Sequence, residues 1–196
     1  MMGKIFYIMG KSASGKDTIY RHFLEKKEFG FRTLVPYTTR PMRSGEREGV
    51  DYFFTDEAGL ERVRREGRLV ELRSYHTVLG IWNYFTVDDG QLGLVNYHYL
   101  LVGTLESYRS MRSFYGAKAL VPILVEIEDG ERLQRALDRE RAQEEPKYAE
   151  MCRRFLADAS DFTEEKIREA GIDRRFCNRD LADCLSEIEA YIRERM

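Results

Sequence analysis

Residues 10–16 have the types and spacing of a loop that binds phosphate. They read G-K-S-A-S-G-K and fit the pattern G-x-x-x-x-G-K. Small residues let such a loop curl so that successive backbone N–H groups point into one concavity, and the amino terminus of the next helix adds partial positive charge. Lys16 then reaches the β- and γ-phosphates of a nucleotide. The loop residues that we expect to bind ATP are Gly10, Ser12, Ala13, Ser14, Gly15 and Lys16.

The residue after Lys16 departs from the usual pattern. That position usually carries a Ser or Thr whose hydroxyl group binds Mg²⁺, but here it is Asp17, and Thr18 follows. Adjacent helical positions point about 100° apart, so Thr18 does not simply replace its neighbour. Carboxylate oxygens are ligands for hard cations, and we expect Asp17 to bind Mg²⁺ directly or through water. Asp17 and Thr18 therefore join the predicted ATP site, although the negative charge of Asp17 is expected to lower affinity or rate.

A second group of chemically capable residues lies in residues 37–54, which read Y-T-T-R-P-M-R-S-G-E-R-E-G-V-D-Y-F-F. Arg40 and Arg43 are forked donors that can grip a phosphate with two hydrogen bonds each, and Tyr52 can add a phenolic hydrogen bond. On the residues alone, the simpler interpretation is that these are surface arginines paired with acidic neighbours. Those neighbours are Glu46, Glu48 and Asp51.

This second segment resembles the signature T-T-R-x-P-R-x-G-E-x-x-G-x-D-Y-x-F of guanylate kinases. It matches every specified position except 42, beside the second arginine, where Met42 stands. The resemblance is strong over residues 4–86 and weak afterwards, so the chain is similar to a divergent member of that family. It implies a nucleoside monophosphate kinase that uses ATP and Mg²⁺ to convert GMP to GDP. The GMP-binding residues that it implies are Arg40, Arg43, Glu46, Tyr52, Glu71 and Gly80.

Glu71 holds the position where the family places a carboxylate on the edge of the guanine base. A carboxylate accepts two N–H donors from guanine N1 and N2, a face that adenine does not offer. The alternative is a solvent-facing residue of an alternating strand.

Three positions depart from the family pattern. Pro36 replaces a base-contacting Ser, and Leu79 appears where a phosphate-binding Tyr is usual. Residues 100–104 read L-L-V-G-T, so the usual D-x-D is absent. These departures leave two alternatives open, namely a kinase for another (deoxy)nucleoside monophosphate, or a catalytically impaired module that binds nucleotides or proteins.

Arg132, Arg135 and Arg139 fall at i, i+3 and i+7, on one face of a predicted helix. A lid that carries arginines neutralises charge on a transferring phosphoryl group and keeps water out. The resemblance implies such a lid over about 132–150, with Arg153 or Arg154 as a further member. A solvated helix face with acidic neighbours is the alternative. The catalytic residues that we expect are Lys16, Arg40, Arg43, Arg135, Arg139 and Arg154.

Asn178 resembles the family's N-x-D-L turn beside the adenine of ATP, and we expect it to bind ATP. A cap on the last helix is the competing explanation.

The elements that must position these residues alternate between strand and helix. Ile5–Met9 is a short apolar run typical of a buried strand, and 99–102, 120–127 and Arg175–Cys177 are similar. Helical periodicity separates them, most clearly over 181–192. We predict an α/β fold with a three-layer phosphate-loop core around a parallel sheet, a small mixed β insertion over about 35–87, and a helical lid. Core residues 1–34 and 88–196 complete a single domain.

The composition excludes several classes of protein. Of the 196 residues, 43% are hydrophobic and 34% are charged, which excludes a disordered chain or a disulfide scaffold. Lys and Arg total 32 against 34 Asp and Glu, so charge gives no case for nucleic acid or acidic membrane as a partner. The three cysteines are typical of a reducing compartment. We expect a soluble cytoplasmic monomer or homodimer whose partners are nucleotides.

Overall fold

The computed structural model describes residues 2–77 and 80–196. Its strands are β1 (Ile5–Met9), β2 (Tyr37–Thr38), β3 (Phe53–Phe54), β4 (Leu69–Thr77), β5 (Gly80–Val87), β6 (Tyr99–Gly103), β7 (Leu120–Glu126) and β8 (Arg175–Cys177). Its helices are α1 (Lys16–Glu25), α2 (Glu57–Arg65), α3 (Leu105–Tyr115), α4 (Asp129–Arg141), α5 (Tyr148–Asp161), α6 (Glu164–Glu169) and α7 (Leu181–Arg193), with a short 3₁₀ turn at Lys27–Phe29.

The first sheet is parallel, with the strand order β6-β1-β7-β8. β1 lies inside it, where Ile5 is in register with Tyr99 on one side and Leu120 on the other. All five residues of β1 are buried, as its continuous apolar run predicts. Because the strands are parallel, the loops that follow β1, β6 and β7 meet at one edge of the sheet.

Helices cover both faces of this sheet. Tyr7 packs in an apolar cluster with Tyr108 of α3 and Ile167 of α6. Ile8, the next residue of β1, packs in a second cluster that includes Ile19 of α1 and Ile188 of α7. Alternate side chains of a strand point to opposite faces, so one strand supplies both clusters. The predicted α/β fold class with a three-layer core is confirmed.

The second sheet is mixed and is built from residues 37–87, in the order β3-β2-β5-β4. β2 pairs in parallel with β3 and antiparallel with β5, which in turn pairs antiparallel with β4. α2 packs on this sheet through Leu60 and Val63, which form an apolar cluster with Phe85. The side chain of Asp56 caps α2 by accepting a hydrogen bond from the Gly59 N–H at 2.8 Å.

Several element boundaries differ from those expected. The β-branched and aromatic residues of 69–72 and 82–87 predict two short strands, but β4 and β5 are longer because polar residues such as Ser74 continue the hairpin ladder. β2 and β3 have two residues each and carry no recognisable period. The spacing of Ile19, Phe23 and Leu24 predicts a helix as far as Gly30, but α1 ends at Glu25 and the 3₁₀ turn follows. Within the described residues, no helix has the length and apolar character needed to cross a membrane.

Candidate functional site

The curled form of the loop between β1 and α1 depends on the backbone conformations of Ala13 and Gly15 and on the close packing at Gly10 and Gly15. Gly15 has a φ of +90° and Ala13 a φ of +62°, both in the left-handed region that favours glycine. A Cβ atom at Gly15 would lie 2.1 Å from Asn178 Nδ2, and one at Gly10 would lie 2.3 Å from the carbonyl oxygen of Val125. The close approach of neighbouring groups therefore explains why these two positions carry glycine.

Asn178 supports the loop from the β8–α7 connection. Its side chain is buried, and Nδ2 donates a hydrogen bond to the Ser14 carbonyl oxygen at 2.7 Å. Its backbone N–H donates to the carbonyl oxygen of Glu126 at the end of β7. α7 is capped by Asp180, which accepts from the Asp183 N–H at 3.0 Å. The interpretation of Asn178 as a helix cap is therefore wrong.

A cleft of about 560 Å³ opens beside this loop, and we call it the loop cleft. Its lining brings together several residues predicted at the ATP site and two predicted lid arginines: Ala13, Gly15, Asp17, Thr18, Asn178, Arg135 and Arg139. Arg135 Nη2 donates to the carbonyl oxygen of Asn178 at 3.0 Å, which ties α4 to the loop's support. Residues far apart in sequence thus converge on one cleft.

Lys16 and Asp17 begin α1 at the mouth of the loop. Lys16 Nζ lies 3.5 Å from Asp17 Oδ2, and the Asp17 side chain is 71% exposed. No group of three or more potential His, Cys, Asp or Glu metal ligands occurs among the described residues. Mg²⁺ is bound in nucleotide sites by one or two protein oxygens together with phosphate and water. The Asp17 carboxylate and the Thr18 hydroxyl group, both lining the loop cleft, fit that requirement.

The three predicted lid arginines of α4 differ in their surroundings, because Arg135 and Arg139 line the loop cleft whereas Arg132 is buried. Arg132 is 1% exposed, and its Nη1 donates to Asp158 Oδ2 at 2.9 Å. The same carboxylate oxygen accepts the N–H of Ser12, a loop residue, at 2.8 Å. The Arg132 guanidinium also lies 4.1 Å from the ring centroid of Phe155. For Arg132, the interpretation as one residue of a solvated helix face is wrong, since this arginine joins α4, α5 and the loop.

Arg40 is buried instead of lying on the surface. It is 3% exposed, and its Nη1 donates to Glu46 Oε2 at 2.8 Å while Nη2 donates to Glu46 Oε1. Its Nε donates to the Tyr84 hydroxyl oxygen at 3.0 Å. The hydrogen bonds from Arg40, followed by one from the Arg43 backbone, lower the pKa of Glu46 from 4.5 to about 2. The surface-arginine interpretation of Arg40 is wrong, although its pairing with Glu46 was foreseen.

The remaining residues of the predicted GMP site lie nearer to solvent. Arg43 is exposed, with its guanidinium 5.8 Å from the ring centroid of Trp82. Tyr52 packs edge-to-face on Tyr84, with 5.7 Å between ring centroids. Gly80 begins β5, is exposed and has a φ of +114°. Leu79, which the sequence placed at a phosphate-binding position, lies outside the described residues.

A second cavity, of about 800 Å³, lies against one face of the β4–β5 hairpin, and we call it the sheet cavity. Three cross-strand pairs on this face line it: Glu71 with Thr86, Arg73 with Tyr84, and Tyr75 with Trp82. Ser12 of the loop also borders the cavity, as do Arg154 and Asp158 of α5. The loop after β1 therefore contributes to the walls of both cavities.

The comparisons with known proteins point to one family. Residues 2–81 match the family model for guanylate kinase. The chain is 36% identical over 83 residues to a guanylate kinase of Streptococcus pneumoniae (strain ATCC BAA-255 / R6), and 39% identical over 74 residues to one of Mycoplasma pneumoniae. A crystal structure of guanylate kinase from Anaplasma phagocytophilum matches 100% of this chain and 87% of that chain, with a TM-score of 0.63 and 21% identity. This chain is similar to guanylate kinases in the sequence of residues 2–81, and its fold resembles that of a guanylate kinase throughout.

The sequence similarity to these guanylate kinases covers less than half of the chain. The two alignments span 42% and 38% of it, and only 38% and 31% of the Streptococcus and Mycoplasma proteins. The likeness in fold extends over the whole chain. The family resemblance inferred from residues 10–16 and 37–54 is confirmed, and those segments lie within the matched region.

The Glu71 carboxylate is fully hydrogen-bonded within the protein. It is 6% exposed, which makes the solvent-facing alternative wrong. Its Oε1 accepts from the Thr86 hydroxyl group at 3.0 Å and from Arg73 Nη2 at 3.3 Å. Its Oε2 accepts from the Ser107 hydroxyl group at 3.0 Å and from Arg73 Nε at 3.1 Å. Since an ionised carboxylate offers about four lone-pair sites, protein donors occupy the whole acceptor capacity of Glu71.

Arg154, the last predicted lid residue, lies on α5 beside the sheet cavity. Its Nε donates to Glu150 Oε1 at 2.9 Å, and both Arg153 and Arg154 bind this carboxylate. The hydrogen bond from Arg153 is the main reason that the pKa of Glu150 falls to about 2. Arg154 is exposed, so its pairing leaves it accessible to an anionic ligand.

Several residues of the site were missed by sequence reasoning. Trp82, Tyr84 and Thr86 recur with period two, and this alternation predicts that they share one face of a strand. Asp158 and Ser107 contact residues more than thirty positions away, and no local pattern indicates those contacts.

Proposed function

We propose that this protein transfers the γ-phosphoryl group of ATP to GMP and yields ADP and GDP. The observation that carries the proposal is the position of the phosphate loop between two cavities. Ala13 and Gly15 line the loop cleft, whereas Ser12 borders the sheet cavity. A donor phosphate cradled by the loop would therefore lie next to an acceptor held on the second sheet. Such in-line transfer requires mainly alignment of the reactants and neutralisation of charge.

On the donor side, the loop amides and Lys16 would bind the ATP phosphates. Ser12, Ala13 and Ser14 belong to a loop that precedes the amino terminus of α1, where partial positive charge favours an anion. Arg135 and Arg139 line the same cleft and would neutralise charge on the transferring group. Asn178, Gly10 and Gly15 would keep the loop in its binding shape.

Mg²⁺ is part of the proposal because Asp17 and Thr18 offer hard oxygen ligands at the loop cleft. The ion would hold the ATP phosphates in position and neutralise part of their charge. Asp17 would also counteract Lys16, whose ammonium group it contacts.

On the acceptor side, the phosphate of GMP would bind near Arg40, Arg43 and Tyr52. Glu46 holds two nitrogens of Arg40, so Arg40 would offer its remaining Nη2 hydrogen or exchange one Glu46 contact for the phosphate. The exposed Arg43 side chain, whose guanidinium lies 5.8 Å from the centroid of the Trp82 ring, would turn toward the same phosphate. Arg154 would approach from α5.

Different segments of the chain would have different roles in the reaction. Residues 1–34 and 88–196 would form the core of a single domain, about 35–87 would hold the acceptor, and about 132–150 would act as the lid. Gly80 begins β5 and therefore belongs to the part of the chain that would hold the acceptor. The three cysteines are free thiols, two of them exposed, which suits a reducing compartment such as the cytoplasm.

Purified protein assayed for ADP release tests this proposal. With ATP and Mg²⁺, we expect turnover with GMP or dGMP that exceeds turnover with AMP or CMP. Lys16→Ala should lower kcat by about 10²-fold or more, because one preorganised charge on the transferring group is lost. Lys27→Ala, which removes an exposed lysine of the 3₁₀ turn, is the matched control and should leave the rate unchanged. Near-normal activity of Lys16→Ala, or a preference for AMP, would contradict the proposal.

A further inference from the structure

Arg73 stands between Glu71 and the sheet cavity. The two side chains form an ion pair through Arg73 Nε and Nη2, and both residues line the cavity. The Glu71 side chain is 4% exposed, but the Arg73 side chain is 27% exposed. The guanidinium is therefore the accessible part of the pair, and the carboxylate lies behind it.

The hydrogen-bond capacity of the pair also indicates that Arg73, and not Glu71, is available to a ligand. Thr86, Ser107 and Arg73 fill the lone-pair sites of Glu71. Within residues 2–77 and 80–196, Arg73 Nη1 has no hydrogen-bond partner. The pair thus presents N–H donors to the cavity instead of carboxylate acceptors. A ligand that binds here must therefore supply hydrogen-bond acceptor atoms.

Aromatic side chains surround these donors. Tyr84 lies across from Arg73 in the hairpin register, and Tyr75 and Trp82 form the next cross-strand pair on the same face. Tyr84 also accepts a hydrogen bond from Arg40, which is proposed to bind the acceptor phosphate. A nucleotide whose phosphate lies at Arg40 would therefore bring its base toward Arg73, past rings on which it can stack.

We propose that Arg73 is a specificity-determining residue that donates hydrogen bonds to O6 and N7 of a 6-oxopurine. A guanidinium matches these two acceptors in a forked geometry, the commonest specific contact between arginine and guanine. Glu71 is then a positioning residue that holds Arg73 in place. The inference rests on the proposed function for the placement of the nucleotide.

This assignment predicts a selectivity different from that of a carboxylate. Hypoxanthine shares O6 and N7 with guanine and lacks only the exocyclic N2 amino group, so IMP should bind as well as GMP. Adenine places an amino group at position 6, where it would face the guanidinium donors. A carboxylate that read N1 and N2 would instead reject IMP, because its buried acceptor would lose a partner.

Fluorescence of Trp82 tests the inference in the wild-type protein. This is the chain's one tryptophan, and it lines the cavity, so its emission reports binding without turnover. We expect the Kd values of GMP and IMP to agree within about 3-fold, and those of AMP and 7-deaza-GMP to be about 10-fold higher. If IMP binds 10-fold or more weakly than GMP, or 7-deaza-GMP binds as well as GMP, the assignment is overturned.

Substitution of Arg73 gives a second test. Arg73→Lys keeps the positive charge beside buried Glu71 but loses the fork, and should weaken GMP and IMP about 10-fold each with little change for AMP. Arg68→Lys is the control, because Arg68 directly precedes β4 and pairs with Glu66. This substitution should leave the Kd values of GMP, IMP and AMP unchanged. If Arg73→Lys or Arg73→Ala tightens GMP and increases discrimination against IMP, Arg73 only blocks Glu71 and the inference is wrong.

The two proposals fail differently in these measurements. Equal binding of GMP and IMP without ADP formation supports the role of Arg73 and refutes the kinase activity. Phosphorylation of GMP with strong rejection of IMP supports the kinase and refutes the role of Arg73.

Discussion

Arg40 and Glu46 form an ion pair that stabilises the fold and that we propose also helps to bind the acceptor phosphate. Three of the hydrogen bonds that hold the buried Arg40 side chain go to Glu46 and Tyr84. Glu46 also accepts the N–H of Arg43 at 2.8 Å, so the same carboxylate fixes the turn that carries the second arginine. Removing Glu46 leaves a buried guanidinium short of partners, which is costly.

We expect Glu46→Gln to destabilise the fold at neutral pH, with a loss that shrinks in acid. The pKa of Glu46 is about 2 in the folded protein, below its ordinary 4.5, so its ionisation stabilises the fold above about pH 4.5. That contribution disappears as pH falls from about 4.5 toward 2. Urea unfolding of both proteins at pH 7, 4 and 3 should show a difference in unfolding free energy that narrows with acid. A gap that is constant across this range would refute the assigned role of the charge.

At the scale of elements, the β1–α1 turn matters most. The buried strand β1 ends at the edge of the sheet, where the loop begins, and α1 starts directly after the loop at Lys16. Asn178 from the β8–α7 connection and Asp158 from α5 hold the loop through Ser14 and Ser12. The shape of the loop therefore depends on contacts from distant elements as well as on its small residues.

Gly15→Ala should be more damaging than Gly30→Ala. Both glycines have positive φ values, +90° and +57°, so alanine costs about 1–2 kcal/mol of backbone strain at each. At Gly30 nothing lies within 4 Å of the new Cβ, whereas at Gly15 it would lie 2.1 Å from Asn178 Nδ2. We expect the larger loss of unfolding free energy, together with weaker ATP binding, only for Gly15→Ala. Urea unfolding and ATP titration measure the two effects, and equal losses in both variants would rule out the Asn178 contact as the cause.

At the scale of the whole molecule, the loop lies between the two cavities. The loop cleft is bounded by α1, α4 and the β8–α7 connection, and the sheet cavity by β4, β5, β6 and α5. This arrangement predicts two separate binding sites whose ligands meet only at the phosphate loop.

ATP and GMP should each raise the unfolding temperature, and their effects should add. A ligand at 100 times its Kd stabilises the folded state by about 2.7 kcal/mol, which shifts the melting temperature by roughly 5–10 °C in a chain of this size. Differential scanning fluorimetry with a non-hydrolysable ATP analogue, with GMP, and with both measures the shifts. If saturating GMP abolishes the shift caused by the ATP analogue, the two nucleotides share one cavity and the two-site arrangement is refuted.

Local patterns predicted the parts of this protein that depend on short segments. The apolar run Ile5–Met9 and the spacing of residues 10–16 predicted a buried strand followed by a phosphate loop, because strand burial and loop curvature follow from adjacent residues. The residue types in 37–54 predicted the resemblance to guanylate kinases, which the family match over residues 2–81 confirms. The two-residue strands β2 and β3 were missed, since they are too short to show a period.

The sequence by itself determined the alternation of the longer strands and helices, the loop pattern of residues 10–16 and the resemblance to guanylate kinases, because each of these is encoded by neighbouring residues. Only the tertiary structure decided which charged groups meet. Arg132 and Asp158 join across α4 and α5, Asn178 reaches Ser14, and Arg73 covers Glu71. Burial in a low-dielectric interior requires such groups to find partners, and the packing of distant elements selects those partners.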